Sequence, residues 1–430
     1  MDLKKKLLIS CLCIFFIAEV LFLVNIKTPT HHNFDEAHYV PAAKQFLELA
    51  EIKNLEHPPL GKLLIASGIA VYGDNPLGWR IMSTLFGALT LVGMFLIAFV
   101  LFQKLNIALW VAGLTLMNQL LYVQSRIAMI DIFMFFFLSI TILAFSVIWL
   151  IDLNKKNRQY AFSIMGGSLG LASACKWFGL VCLVAIIALF IFIKIFNKIM
   201  KPKKSVNLGM SAMPLRAGLF WLIATFLVTY FITFSPFFFA HTVQGEVNGI
   251  SDLINLQIVM WKGQQAVGAS HPYTSHWWQW PFMVRPIWYT FDRDILSDKM
   301  VSGVIFLGNP LIMWSGVLAI LICIRSWFKT RSSISFIILF FYGLFFASWI
   351  FIPRKISFYY YYYPAAMILS LALAQAFELI ESDLLKKNRW LKWIFLLSSA
   401  IIFFYFLPVL GGFKISMSEY IKKMWLNSWI

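Results

Sequence analysis

Apolar runs of about twenty residues, each long enough to cross the hydrocarbon core of a bilayer as a helix, recur along this chain with short polar interruptions. The first, Leu7 to Ile26, follows Lys4-Lys5-Lys6. Further runs fall near residues 79–102, 107–124, 131–151, 160–176, 177–197, 217–240, 301–325, 333–352, 358–380 and 393–411, so the pattern predicts eleven spans. The first run is too long for a signal-peptide core and no small-x-small cleavage site follows it, so it reads as a retained helix. Residues 27–78 and 241–300 interrupt the pattern, and both are long enough to carry chemistry.

Composition agrees with the pattern. The chain is 60% hydrophobic and 13% charged with mean hydropathy +0.78, whereas soluble domains carry about 25% charged residues. An all-α polytopic membrane protein follows, in place of two or three soluble domains. It divides into an N-terminal transmembrane module, 1–240, containing the first long loop, then the loop 241–300, then a C-terminal transmembrane module, 301–430.

A net charge of +17 raises the question of nucleic acid, and its distribution answers it. More than half of the 36 Lys and Arg fall at the N-terminus and in alternate short connections, around Lys104, Lys155 to Arg158, Lys194 to Arg216, Arg325 to Arg331 and Lys386 to Lys392. That asymmetry is the positive-inside pattern, so the charge is topological and implies no nucleic-acid partner. With the N-terminus inside, eleven spans put the C-terminus and both long loops outside. The five cysteines lie in apolar runs without metal-type spacing.

The first long loop opens with Asn33-Phe34-Asp35-Glu36-Ala37-His38-Tyr39. A carboxylate pair at a membrane boundary is either a solvated loop pair or a site facing a cavity. Glu56-His57-Pro58-Pro59-Leu60-Gly61-Lys62 follows, a rigid turn that also suits a helix start and lacks the glycine and hydroxyl of a nucleotide P-loop. Gly78-Trp79-Arg80, Arg126 and Asp131, Lys176-Trp177, and Arg354-Lys355 return cations to one face. Each alone is more often an interface anchor, but their convergence suits the phosphate of a lipid whose tail lies in an apolar groove.

His271-Pro272-Tyr273, with His276, Trp277, Trp278, Trp280 and Arg285 close behind, is a tryptophan-rich segment that either lies in the interface or lines a groove for a sugar-bearing ligand. Tyr359 to Tyr363 reads equally as a stacking platform or an aromatic belt. His31, His32, Asp35, Glu36, His38 and His57 lie near one another in sequence, so a divalent metal is possible, although they have no fixed ligand spacing. A lipid-sugar transporter also suits eleven spans. Transporters, however, bind at the midplane, and here the ionisable residues gather at one boundary, with Glu19 in mid-span as the exception.

Taken in order, Asp35-Glu36-Ala37-His38-Tyr39, His57 to Lys62, Gly78-Trp79-Arg80, Ala174-Cys175-Lys176-Trp177, His271-Pro272-Tyr273 with Trp277 to Pro281, and Phe358 to Pro364 resemble the protein O-mannosyltransferases. These are glycosyltransferase family 39, of GT-C architecture. The resemblance implies an inverting transfer of mannose from a polyprenyl-phosphate donor to Ser or Thr hydroxyls of exported proteins. It implies Asp35 as the base with Glu36 in support, and a donor phosphate held first by Arg80, then by Arg126, Lys62, Lys176 or Arg354. It places His38, His57, Asp131, His271, Trp277, Trp278, Trp280 and Tyr361 at the substrate loops. Residues 241–300 leave no room for the β-rich MIR insertion of eukaryotic members, so the chain resembles the shorter bacterial form, which implies a bacterial inner membrane. The alternative is a GT-C transferase of another lipid-linked sugar, such as aminoarabinose, to lipid A.

Overall fold

The structure is a computed structural model and describes residues 2–200, 208–266, 271–293, 299–352, 354–383 and 390–430. Its helices are α1 (Leu3–Leu23), α2 (Glu36–Leu47), α3 (Leu60–Tyr72), α4 (Pro76–Phe102), α5 (Leu105–Met117), α6 (Gln119–Gln124), α7 (Ile130–Leu150), α8 (Lys155–Cys175), α9 (Phe178–Met200), α10 (Leu208–Ala212), α11 (Leu215–Ile232), α12 (Ile250–Ala266), α13 (Pro310–Thr330), α14 (Ser333–Phe351), α15 (Tyr363–Asp383), α16 (Leu391–Leu410) and α17 (Met417–Lys423). Among the described residues, nine helical stretches are long and apolar enough to cross a membrane. The chain is an integral, multi-pass membrane protein.

Two predicted spans fall outside those nine, each for a physical reason. The run 107–124 breaks at Asn118, where α5 ends and the Asn118 side chain caps α6 by accepting from Leu120 N at 3.2 Å. The run 160–176 is helical as α8, but its small residues lower its hydropathy. Gly166 and Gly170 let the backbone of α11 approach closely: a Cβ on Gly170 would lie 2.5 Å from the Phe226 carbonyl oxygen, and one on Gly166 would meet that of Leu222. Thr229 Oγ1 donates to Gly167 O at 2.9 Å across the same contact. Close approach through small residues is the usual basis of helix association in lipid, where apolar area alone gives no preference for protein over tails.

Glu19, without an explanation in the sequence, accepts a 2.6 Å hydrogen bond from Thr84 Oγ1 and so ties α1 to α4.

One span boundary is corrected. Residues 301–306 are not helix but part of strand β2 (Met300–Phe306), which pairs antiparallel with β1 (Ile287–Arg293) and with β3 (Ile415–Ser416). The helix that follows starts at Pro310, capped by the Asn309 side chain. The C-terminal segment closes over this small sheet: Trp288 Nε1 donates to Trp429 O at 2.8 Å and Trp429 Nε1 to Met283 O at 2.7 Å.

The two long loops meet at this same end of the bundle. Ile52 N donates to His241 O at 2.9 Å, and Val243 N returns to Ile52 O at 3.3 Å. α12 buries Leu253, Leu256 and Met260 against the molecule and leaves Ile250, Ile254, Ile258 and Trp261 exposed as a stripe on its outer side.

Candidate active site

Asp35 and Glu36 are neighbours with opposite environments. Glu36, at the first turn of α2, is wholly buried and saturated. Its carboxylate accepts from Asn33 N (2.8 Å), Ala128 N (2.9 Å), Arg80 Nε (2.8 Å) and Arg80 Nη2 (2.8 Å). These bonds pin the first loop to α4 and to the turn before α7. The sequence points to Glu36 as support for the base; here both of its carboxylate oxygens are occupied by these four bonds.

Arg80 is equally committed. Besides its bidentate bond to Glu36 it donates to the carbonyls of Ile26 (3.0 Å), Pro29 (2.9 Å) and His31 (3.2 Å). A guanidinium has five N–H donors, and all five are used. The residue expected first to hold the donor phosphate thus has its donors directed at the first loop in this structure.

Arg126 and Lys62 are also spent on the fold. Arg126 Nη1 donates to Phe22 O at 2.8 Å and to Val24 O, and its Nη2 to Asn25 O at 3.0 Å, closing the C-terminal end of α1. Lys62 is fully buried and donates to Asn54 O (2.7 Å), Asn54 Oδ1 (3.2 Å) and His57 O (2.8 Å), so its ammonium ties the loop 54–57 to the start of α3. Next to it, Gly61 packs against Ile130, where a Cβ would sit 2.5 Å from Ile130 Cγ2.

Asp35 has no hydrogen bond or ion pair at its carboxylate among the described residues. Burial, opposed by Lys176 and assisted by Asp131, raises its pKa from 3.8 to about 6, with His38 favouring the ionised form. Phe34, just before it, has φ +44°, a conformation costly for a bulky side chain. Its ring is held by stacking on Tyr289 (5.2 Å) and by edge contacts with Tyr360 (6.0 Å), Phe358 and His271 (6.1 Å each). The aromatic cage fixes the strained residue that sets the direction of Asp35.

The cations that remain are Lys176 and Arg354. Lys176 Nζ pairs with Asp131 Oδ1 at 2.8 Å and lies over the rings of Tyr360 (5.0 Å) and Tyr361 (4.9 Å). Asp131 Oδ2 is buried without a partner among the described residues. Arg354 Nη1 donates to Tyr361 Oη at 2.6 Å and its Nη2 to Gln264 Oε1. Tyr361 is stacked on Trp349 at 4.3 Å with rings parallel to within 1°.

Both cations face a groove of 660 Å³ whose walls are apolar side chains of α9 and α14, including Leu180, Val184, Leu344 and Phe351. Arg354 and Gln264 also line a second cavity of 520 Å³, with Lys355, Phe358 and Tyr361. Ser348 Oγ and Trp349 Nε1, both on the groove, are buried with no hydrogen-bond partner among the described residues.

The histidines disperse. His31 approaches Thr290 (3.2 Å) and Asp292 (3.6 Å), His32 packs on Trp79 at 4.4 Å, His38 is exposed, and His57 Nδ1 lies 3.0 Å from Gln264 Nε2. Among the described residues no group of three or more His, Cys, Asp or Glu is placed to hold a metal. The tryptophans divide: Trp280 is core, with Nε1 bonded to Ser275 Oγ at 3.0 Å; Trp277 packs on Phe346; Trp278 is exposed and stacks on His276 at 4.3 Å. His271 lies against Phe34 and Phe358.

Two family models match this chain from residue 70 onward: dolichyl-phosphate-mannose-protein mannosyltransferase over residues 70–244, and the C-terminal four-span region of protein O-mannosyltransferase over residues 249–429. The chain belongs to the protein O-mannosyltransferase family. Similar curated members are the polyprenol-phosphate-mannose–protein mannosyltransferases of Mycolicibacterium smegmatis (24% identical, covering 96% of this chain and 91% of the relative) and Corynebacterium glutamicum (27%, 92% and 88%).

The fold is that of the Saccharomyces cerevisiae Pmt1–Pmt2 complex bound to its sugar donor, at TM-score 0.83 and 16% identity over 100% of this chain and 93% of that one. ArnT of Cupriavidus metallidurans bound to undecaprenyl phosphate superposes at TM-score 0.60 and 12% identity, over 93% and 70%. The architecture is thus GT-C, and the mannosyltransferase likeness is closer than the aminoarabinose-type one.

In this O-mannosyltransferase family member, Gln264 also reaches the site, bonding Glu56 O and Arg354. A glutamine at the end of an amphipathic helix carries no signal until its partners, 208 and 90 residues away, are in place.

Proposed function

We propose that this protein transfers mannose from a polyprenyl-phosphate-mannose donor to Ser or Thr hydroxyls of protein substrates, on the outer face of a bacterial plasma membrane. The observation that carries the reading is the groove: an apolar channel between two spans that ends at Lys176 and Arg354, near a carboxylate with no partner among the described residues and a raised pKa. An isoprenoid tail suits the channel, and cations suit the phosphate at its end.

In this reading the acceptor oxygen attacks the anomeric carbon from the face opposite the phosphate, so the configuration inverts. The carbon–oxygen bond to phosphate breaks, its electron pair stays on the phosphate, and Asp35 takes the hydroxyl proton. The leaving group is a stable anion and needs no acid; Lys176 and Arg354 stabilise the charge it gains. Asp131 keeps the Lys176 ammonium in place, and Tyr361 orients Arg354. Asp35 is the base because its neighbour Glu36 is closed to substrate.

The test uses the purified wild-type protein with two donors, mannosyl- and aminoarabinosyl-phosphoprenols, and two acceptors, a Ser/Thr peptide and lipid A. Mannose on the peptide, with the anomeric configuration opposite to the donor's, is the expected result. Sugar on lipid A and none on peptide would overturn the reading.

A further inference from the structure

Gln264 is half-buried in the last turn of α12 and has partners at both ends of its amide. Nε2 donates to Glu56 O at 2.6 Å and faces His57 Nδ1 at 3.0 Å, while Oε1 accepts from Arg354 Nη2. The carbonyl and the guanidinium leave only one orientation of the amide, since a carbonyl must receive a donor and an arginine must give one. Gln264 therefore joins three separate parts of the chain: α12, the turn 54–57 that Lys62 ties together, and the segment after α14 that carries Arg354.

We infer that Gln264 is a positioning residue for the lipid phosphate, holding the Arg354 guanidinium toward the donor. Gln264 and Arg354 line both cavities, so the bridge stands where they adjoin. Because Nδ1 of His57 receives the amide N–H, the ring proton resides on Nε2, and the imidazole is a neutral donor. Burial, together with the nearby positive charges of Lys176, Arg354 and Lys62, holds its pKa well below the ordinary value, in agreement with that tautomer. Arg354 in turn has its Nη1 on Tyr361 and its Nη2 on Gln264, so both anchors set the direction of the planar fork. A guanidinium held on two sides loses less freedom when it closes on a phosphate.

The inference rests on the donor reading above, and the test separates the two. Binding of undecaprenyl phosphate in detergent micelles is measured for the wild type, Gln264→Leu, Gln264→Glu, Arg354→Gln and the double variant Gln264→Leu/Arg354→Gln, with thermal unfolding as the check on folding. Gln264→Leu is expected to bind about tenfold more weakly, the scale of one hydrogen bond to a charged group. The double variant should bind no more weakly than Arg354→Gln alone, because Gln264 acts through Arg354. Gln264→Glu, which still accepts from Arg354 but cannot donate to Glu56 O and adds a negative charge beside the phosphate, should bind no better than Gln264→Leu. In turnover, Gln264→Leu should raise the KM for the lipid donor and leave the KM for the peptide unchanged. Wild-type affinity in Gln264→Leu, or losses that add in the double variant, would overturn the inference and leave the donor reading standing. No binding by the wild type would overturn both.

Discussion

Asp35 and Glu36 show how little adjacency in sequence says about role. Glu36 receives four hydrogen bonds and faces a guanidinium with no free donor, so Glu36→Gln removes one partner of a buried pair and strands the other. Such a break costs about 3–5 kcal/mol, and thermal unfolding of that variant in detergent should occur at markedly lower temperature than wild type. Asp35 has the reverse profile. Its proton is held more tightly than in an unfolded chain, so kcat/KM for transfer should bend near pH 6, level off about a unit above it and fall about tenfold per unit well below it; a pH–rate profile checks this. The same shift makes the Asp35 contribution to stability decline as pH rises from about 4 to 6, the sign opposite to that of a salt-bridged carboxylate. The sequence showed that both acids and five cations gather at one boundary. It could not show that Arg80, Arg126 and Lys62 are spent on main-chain carbonyls, because those carbonyls belong to loops whose paths only the fold defines.

Among the elements, the long apolar helices were legible, since length and hydropathy alone decide them. The strands Ile287–Arg293 and Met300–Phe306 were not, because the apolar residues of β2 run directly into those of α13 and periodicity cannot divide them. In α8, Gly166 and Gly170 lie one turn apart on the face that packs against α11. Gly170→Leu must push α11 away from backbone that no rotamer change can move. It is expected to destabilise the bundle by about 1–3 kcal/mol, seen as a lowered unfolding temperature, whereas Gly343→Leu, which meets nothing within 4 Å of the added Cβ, should leave it near wild type.

For the molecule as a whole, the basic loops and the two long segments predict one orientation: Lys155 to Arg158 inside and both long loops outside. A cysteine placed at Lys156 should resist a membrane-impermeant thiol reagent in intact cells, and one placed at His276 should react; the reverse labelling would invert the topology. The fold gathers both long loops, the C-terminal segment, the open carboxylate and the mouth of the apolar groove at one end. In the proposed reaction Asp35 is the base, and Lys176 and Arg354 serve the leaving phosphate. The measurement that tests it most directly compares initial rates of mannose transfer to a Ser/Thr peptide by purified wild type and Asp35→Asn, both verified as folded. The account predicts a loss of about 10²- to 10⁴-fold in kcat, the scale of a general base. An unchanged rate in Asp35→Asn would contradict it.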